Sequence, residues 1–239
     1  MTNRAAQRAV GLTLAALVFG SWLLLQILAL FLVQIDTLHP LLIMILVATL
    51  CWLDVGLFII AHDAMHGSLA PGSPRLNRVI GTVMLAAYAG FSFDRLRPKH
   101  MAHHLTPGTV ADPDFCERSP ANPFRWYVAF FREYFGWREV LVLTLLVGVM
   151  TFAARVPYAN LLLFWALPAI LASVQLFLFG TFLPHAHRGP DFVDGHRARS
   201  SNFGWITSLL TCYHFGYHHE HHLHPHLPWW RLPSARCRG

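Results

Sequence analysis

Residues 10–34 (VGLTLAALVFGSWLLLQILALFLVQ) carry no charge, and this run constrains the chain more than any other feature. At about 1.5 Å per residue, 25 helical residues reach ~37 Å, enough to cross a ~30 Å hydrocarbon core with tilt. The run is too long for the apolar part of a signal peptide and reads as an uncleaved anchor. A second run, 40–61, is broken only by Asp54, and the short link IDTLH makes the two a helical hairpin. Further spans are expected over about 137–156 and 160–183, joined by the tight turn VPY, with a kink at Pro168. The 15 apolar residues of 79–93 give only ~22 Å as a helix and read as a re-entrant or interfacial segment. Composition agrees: 55% of residues are hydrophobic and 13% charged, with mean hydropathy +0.43. A soluble domain carries roughly 25% charged residues, so an ordinary globule and a disordered chain are both disfavoured.

Charge orients the spans. With four crossings, seventeen of the eighteen Lys and Arg fall on one side or at the span end that emerges there; Arg155 is the exception. That side is then cytoplasmic. The expected architecture is an all-α integral membrane protein. One domain, 1–239, has four transmembrane helices, the re-entrant segment, and a cytosolic His-rich helical cap from 94–136 and 184–239. It is placed in the inner (cytoplasmic) membrane with both termini cytoplasmic. The net charge of +6 reflects this asymmetry, not nucleic acid, because no basic run is interleaved with aromatics. The four cysteines are not in C-x-x-C spacing, and no disulfide framework is expected.

Sixteen histidines outnumber the twelve acids, and most are clustered. HDAMH places His62 and His66 at i, i+4, on one helical face. HMAHH carries His100, His103 and His104, and HHEHH carries His218, His219, His221 and His222; both contain H-x-x-H-H, three ligands per face. PHAH adds His185 and His187 at the cytoplasmic end of the last span. All these words share one side of a topology derived from charge and length alone. The expected ligands are His62, His66, His100, His103, His104, His218, His221 and His222. His185 is favoured as a ninth over His187 or His214. Nine imidazoles are too many for one metal and suit two; iron, copper, zinc and nickel all accept imidazole. His39 faces the wrong side, and His196, His219, His224 and His226 read as supporting or surface residues.

Longer words resemble a known group. Three histidine boxes on the cytosolic face of four spans are similar to the membrane fatty-acid desaturase and hydroxylase superfamily. AHDAMHGSLAP (61–71), NRVIG (77–81), YAGFSFDRL (88–96), KHMAHHLTPGTVADPDF (99–115), FGTFLPH (179–185) and CYHFGYHHEHHLHPHLPWWRLP (212–233) resemble bacterial β-carotene ketolases over most of 52–233. The resemblance implies a non-haem enzyme with two iron ions that uses O2 and electrons from a small donor, ferredoxin. It would oxidise C4 of a carotenoid β-ionone ring through two hydroxylations and loss of water. β-Carotene would become echinenone and then canthaxanthin. The resemblance makes the box histidines the iron ligands, and His185 enters through FLPH. The chain is more His-rich than the pattern, which leaves the register of the third box open.

A carotenoid is long, rigid and apolar and should arrive from the lipid membrane. Phe91, Phe93, Phe182, Trp205 and Phe215 are the expected walls of its groove, with core packing the competing role. Asp63 and Asp114 are the expected catalytic acids, orienting imidazoles or relaying protons; Asp94 and Asp112 share that neighbourhood, and turn formation or capping competes. Asp54 is expected to make a structural hydrogen bond. A carotenoid ring hydroxylase and an acyl-lipid desaturase remain alternatives on the same site. A metal transporter is disfavoured because its ligands would lie near the midplane. A zinc hydrolase is disfavoured by the absence of H-E-x-x-H.

Overall fold

A computed structural model describes residues 3–187 and 191–236; Cys237 lies outside them. Among the described residues the chain is helical with no strand. Helix α1 is Arg4–Ile27, α2 Pro40–His66, α3 Pro74–Ala89, α4 Phe93–Leu105, α5 Pro123–Tyr134 and α6 Trp137–Gly148. The continuous run Tyr158–His185 is α7. Trp205–Cys212, His218–Leu223 and Leu232–Arg236 are α8, α9 and α10.

Three runs are long and apolar enough to cross a membrane: Arg4–Leu32, Pro40–His66 and Tyr158–His185. Two bent pairs bring the number to five if each is one span. They are α3 with α4 at 99°, and α5 with Trp137–Ala153 at 79°. The expected boundaries shift accordingly. The first run starts at Arg4, not at 10, because Asn3 Oδ1 accepts from the Ala5 and Ala6 N–H groups and caps the helix there. The second continues past 61 to His66, so the first histidine pair rides on the span helix itself. It stops where Gly67 takes φ +74°, a left-handed conformation that glycine adopts without steric cost. The short segment expected over 79–93 is instead α3, ending at Ala89, followed by a break at Gly90 (φ +69°) and a turn into α4.

Several polar side chains inside the spans make hydrogen bonds between helices. Trp22 Nε1 donates to Asp54 Oδ1 at 2.8 Å, the structural bond expected of Asp54. Pro168 has no N–H to return to the Phe164 carbonyl, and Gln26 Nε2 donates to that carbonyl at 3.2 Å. Just before Pro168, α7 passes through a π-helical stretch, Leu161–Ala166. At the far end, Asn160 Nδ2 donates to the carbonyls of Ala29 and Val33, both at 2.9 Å. These bonds fix the depth of α7 against α1, and hence where His185 emerges.

The Trp22→Phe substitution keeps the ring and removes the donor, leaving Asp54 unsatisfied inside the bundle. A loss of about 1–3 kcal/mol is expected. Thermal unfolding in detergent micelles should show the lowered midpoint, and adding Asp54→Leu should restore most of it, since both polar partners are then gone.

Candidate metal centre

Four chain elements converge on one buried volume. The last two turns of α2 carry His62 and His66, and the last two turns of α4 carry His100, His103 and His104. His185 closes α7, and α9 presents His218, His221 and His222 from its buried face. The i, i+3, i+4 spacing does this locally, since such residues share a helical face. Before α9, Tyr213 and His214 take φ +49° and +62°, a left-handed pair that turns the chain back toward the other boxes.

The nine expected histidines form two groups, each with ligand atoms within 4.8 Å of one another. One comprises His62, His66, His100, His104 and His221; the other His103, His185, His218 and His222. The groups adjoin: the His104 and His222 rings stack at 4.3 Å between centroids. Within them, nitrogen faces nitrogen. His66 Nε2 and His100 Nε2 are 2.7 Å apart, His221 Nε2 and His104 Nε2 3.0 Å, and His222 Nε2 and His218 Nε2 3.1 Å. His187 lies outside both groups, tilted against Phe115. His214 does too, stacked on Tyr217. His196 and His219 pair near the rim, where His219 Nε2 meets Asp194 Oδ2 at 2.9 Å.

The donor set fits metal. His103 Nδ1 lies 3.0 Å from both carboxylate oxygens of Asp112, and His185 Nδ1 lies 2.7 Å from the Arg197 carbonyl. The opposite Nε2 of each is buried without a hydrogen-bond partner, as are both ring nitrogens of His62. One nitrogen oriented by an oxygen and the other left open is how metal-binding imidazoles are held. Burial, reinforced by neighbouring imidazoles, holds His218, His221 and His222 well below the usual histidine range. They are therefore neutral at pH 7, the form that binds metal.

The two expected acids separate. Asp114 Oδ2 lies 3.6 Å from His103 Nδ1, and Oδ1 accepts a hydrogen bond from the Tyr134 hydroxyl. Burial raises the Asp114 carboxyl above the ordinary carboxylate range, with His103 opposing and Asp112 adding to the shift. Asp63 points elsewhere: its Oδ2 accepts from the Trp229 N–H at 3.1 Å, and Oδ1 stands 3.7 Å from His62 Nδ1, beyond hydrogen bonding. Asp94 is on the surface, paired with Arg78. Asp112 forms the turn, accepting from the Gly108 and Asp114 N–H groups at 2.8 Å, while also holding His103.

Members of both groups line one cavity of about 770 Å3, counted with its open mouth. His62 and His100 belong to the first, His103 and His218 to the second. Asp114, Tyr134, Ser173 and Thr181 add polar atoms, and most of the remaining wall is apolar, with Phe58, Tyr88, Phe130, Leu176 and Phe215 prominent. Of the five expected wall aromatics, only Phe215 lines it among the described residues. Phe182 is packed against Trp126 and Phe177. Phe91 lies between Tyr88 and Phe135. Phe93 fills the space that Gly81 leaves on α3. Trp205 is exposed and tilts over His214. Sequence reading missed Phe58, Tyr88, Phe130 and Tyr134. Tyr134 had a signal, since it closes an amphipathic helix between two boxes; the others look like any residue of an apolar run.

A sequence profile of the fatty acid desaturase family matches residues 35–138 and 117–238. A "Beta-carotene ketolase" of Paracoccus sp. (strain PC1) is 52% identical over 233 residues, covering 96% of this chain and 93% of that protein. A protein of the same name from Paracoccus sp. (strain N81106 / MBIC 01143) is 50% identical over 234 residues, covering 97% and 94%. "Beta-carotene 4-ketolase 3" of Haematococcus lacustris is 35% identical over 258 aligned positions, covering 97% and 80%.

Two outcomes follow from the geometry. Because the native α9 histidines have lowered pKa values, the unfolded chain (histidine pKa ~6.5) binds more protons as pH falls below that value. Stability present above pH ~6.5 should drop on acidification, and unfolding midpoints at pH 7.5 and 5.5 should show it. Asp112→Asn, which weakens the hold on His103, should lower metal affinity about 10–100-fold in a chelator competition while the helical circular dichroism stays intact.

Proposed function

The chain belongs to the fatty acid desaturase family, and to the β-carotene ketolases within it, and on that premise we propose a membrane oxygenase that converts the C4 methylene of a carotenoid β-ionone ring to a ketone. The observation that carries this reading is the shared wall: imidazoles of both groups face a single apolar cavity. Nine imidazoles divided five and four suit two iron ions. Bound there, iron would supply the oxidising power that even an allylic C–H bond demands, using O2.

The chain's own residues supply placement. The apolar wall formed by Phe58, Leu96, Phe130, Leu176 and Phe215 receives the ring and excludes water. Asp112 and the Arg197 carbonyl fix His103 and His185 in orientation. Asp114, with a proton from Tyr134 shared at Oδ1, is the acid placed to hold or pass a proton at the cavity. Asp63 acts at a distance, fastening the Trp229 turn to the helix that bears His62 and His66.

Each hydroxylation consumes one O2, two electrons and two protons and releases one water. Two at the same carbon give a gem-diol, which loses water to the ketone. A ferredoxin-type donor would bring the electrons one at a time on the cytoplasmic side. The four-span topology, with both termini cytoplasmic and the protein in the inner membrane, delivers substrate from the bilayer and electrons from the cytosol to one site.

Expression in cells that accumulate β-carotene tests the reading. The expected pigment gains one oxygen and loses two hydrogens per ring, and a His103→Ala control should lack it. A product that gains oxygen alone would move the chain to the ring hydroxylases. Unchanged β-carotene beside well-expressed, iron-loaded protein would overturn the carotenoid reading.

A further inference from the structure

Two cavities take their lining from one face of α7. The cavity at the histidines takes Ser173, Leu176 and Gly180 from this helix. A second groove, of about 660 Å3, takes Leu161 and Trp165. Between them the Ala169 carbonyl accepts from the Tyr88 hydroxyl at 3.3 Å. Positions 161, 165, 169, 173, 176 and 180 recur every three or four residues and form a single stripe. Helix α3 repeats the pattern: Tyr88 lines the first cavity, and Ala86 and Ala87 line the second.

The second groove lies deeper in the bundle. Its Trp22 is bonded to Asp54, which precedes His62 on α2 by eight residues, ~12 Å along the helix. Leu30 and Leu161, at its other end, sit beside the bond from Asn160 that fixes the far end of the hairpin. From Leu161 to Gly180 is nineteen residues, or ~28 Å of helix, comparable with the ~30 Å hydrocarbon core. The walls are apolar and partly aromatic, with Trp22, Phe31 and Trp165 around Met150.

We propose that this groove holds the distal half of the same rigid carotenoid whose ring is oxidised at the histidines, with Tyr88 marking the point that the polyene passes. The inference rests on the carotenoid reading above. A C40 carotenoid is a straight rod about as long as the hydrocarbon core is thick, with a ring at either end. With one ring in the first cavity, its other half must run along the bundle, and the stripe on α7 leads from one space to the other. Substrate length is then read by the deep groove, and ring chemistry by the cavity at the histidines.

The test compares a two-ring C40 carotenoid with a one-ring analogue whose polyene is cut short, using the membrane-embedded enzyme supplied with its electron donor. Ala86→Trp places an indole in the groove from a position that is exposed among the bundle helices. The ratio of kcat/KM for the long over the short substrate should fall about tenfold or more, the scale of a lost apolar pocket contact. Trp165→Leu, which widens the groove, should raise KM for the long substrate more than kcat changes. An unchanged ratio in both variants would overturn the proposal, because the groove then plays no part in binding. Oxidation of neither substrate by the unaltered, iron-loaded chain would instead sink the carotenoid reading on which it stands.

Discussion

Buried imidazole nitrogens that have no oxygen to bond are the constraint on which the rest of this structure turns. Nine histidines occupy one volume: His62, His103, His185, His218, His221 and His222 are buried and His66, His100 and His104 half-buried, with His66 and His100 lined up Nε2 to Nε2 at 2.7 Å. Two facing nitrogens can share one proton at most, and a protonated imidazole is costly in so dry a place. A cation resolves both problems at once, because it takes a lone pair from each nitrogen and needs every ring neutral. The oxygen atoms of Asp112 and Arg197 then serve a narrower purpose: they hold two of the rings by Nδ1, so that Nε2 faces inward.

The membrane helices make this arrangement affordable only because they run past the apolar core before they stop. Helix α2 carries its apolar run straight into His62 and His66 and ends at Gly67, and α7 does the same for His185. The depth of α7 against α1 is set far from the histidines, by Asn160 against the end of α1 and by Gln26 against the carbonyl that Pro168 leaves open. A slip of one residue in either helix would rotate its ligand by about 100° and move it ~1.5 Å along the axis. The polar bonds inside the bundle therefore belong to the geometry of the site as much as the ligands do.

The sequence carried the parts of this structure that depend on local periodicity. Histidine spacing selects a helical face, and the eight histidines singled out that way lie in the two groups, as does His185, which its place at the helix end and the FLPH word brought in. Apolar runs place the long helices to within a few residues, and the departures occur where a cap such as Asn3 or Gly67 sets the end. The cavity wall was largely illegible, because an aromatic residue faces a cavity or a core according to what packs on its other side. Phe182 and Phe215 both flank a histidine box, yet Trp126 and Phe177 enclose the first while the second borders open space. Tyr134 meets Asp114 only because α5 folds back across the boxes, and no spacing rule encodes that. Asp112 read as a turn residue and is one; that its two oxygens also hold His103 is a tertiary fact.

Dryness links the metal centre to the cavity beside it. Burial that keeps His218, His221 and His222 neutral also leaves a wall of phenylalanine, leucine and tyrosine with few polar atoms. A polar substrate would have to shed its water to enter, whereas an apolar ring gains about 25 cal/mol for each Å2 it removes from water. The polar exceptions include Asp114 and Tyr134, bonded to each other at the edge of the cavity next to His103. One oxygen of Asp114 accepts from Tyr134 while the other faces His103, so this charged group is turned toward the histidines. On the proposed reading, a ring entering from the bilayer would lay its apolar surface on the apolar wall and turn its edge to the imidazoles. Selectivity for position on the ring can follow from that orientation alone, without a hydrogen bond to the substrate.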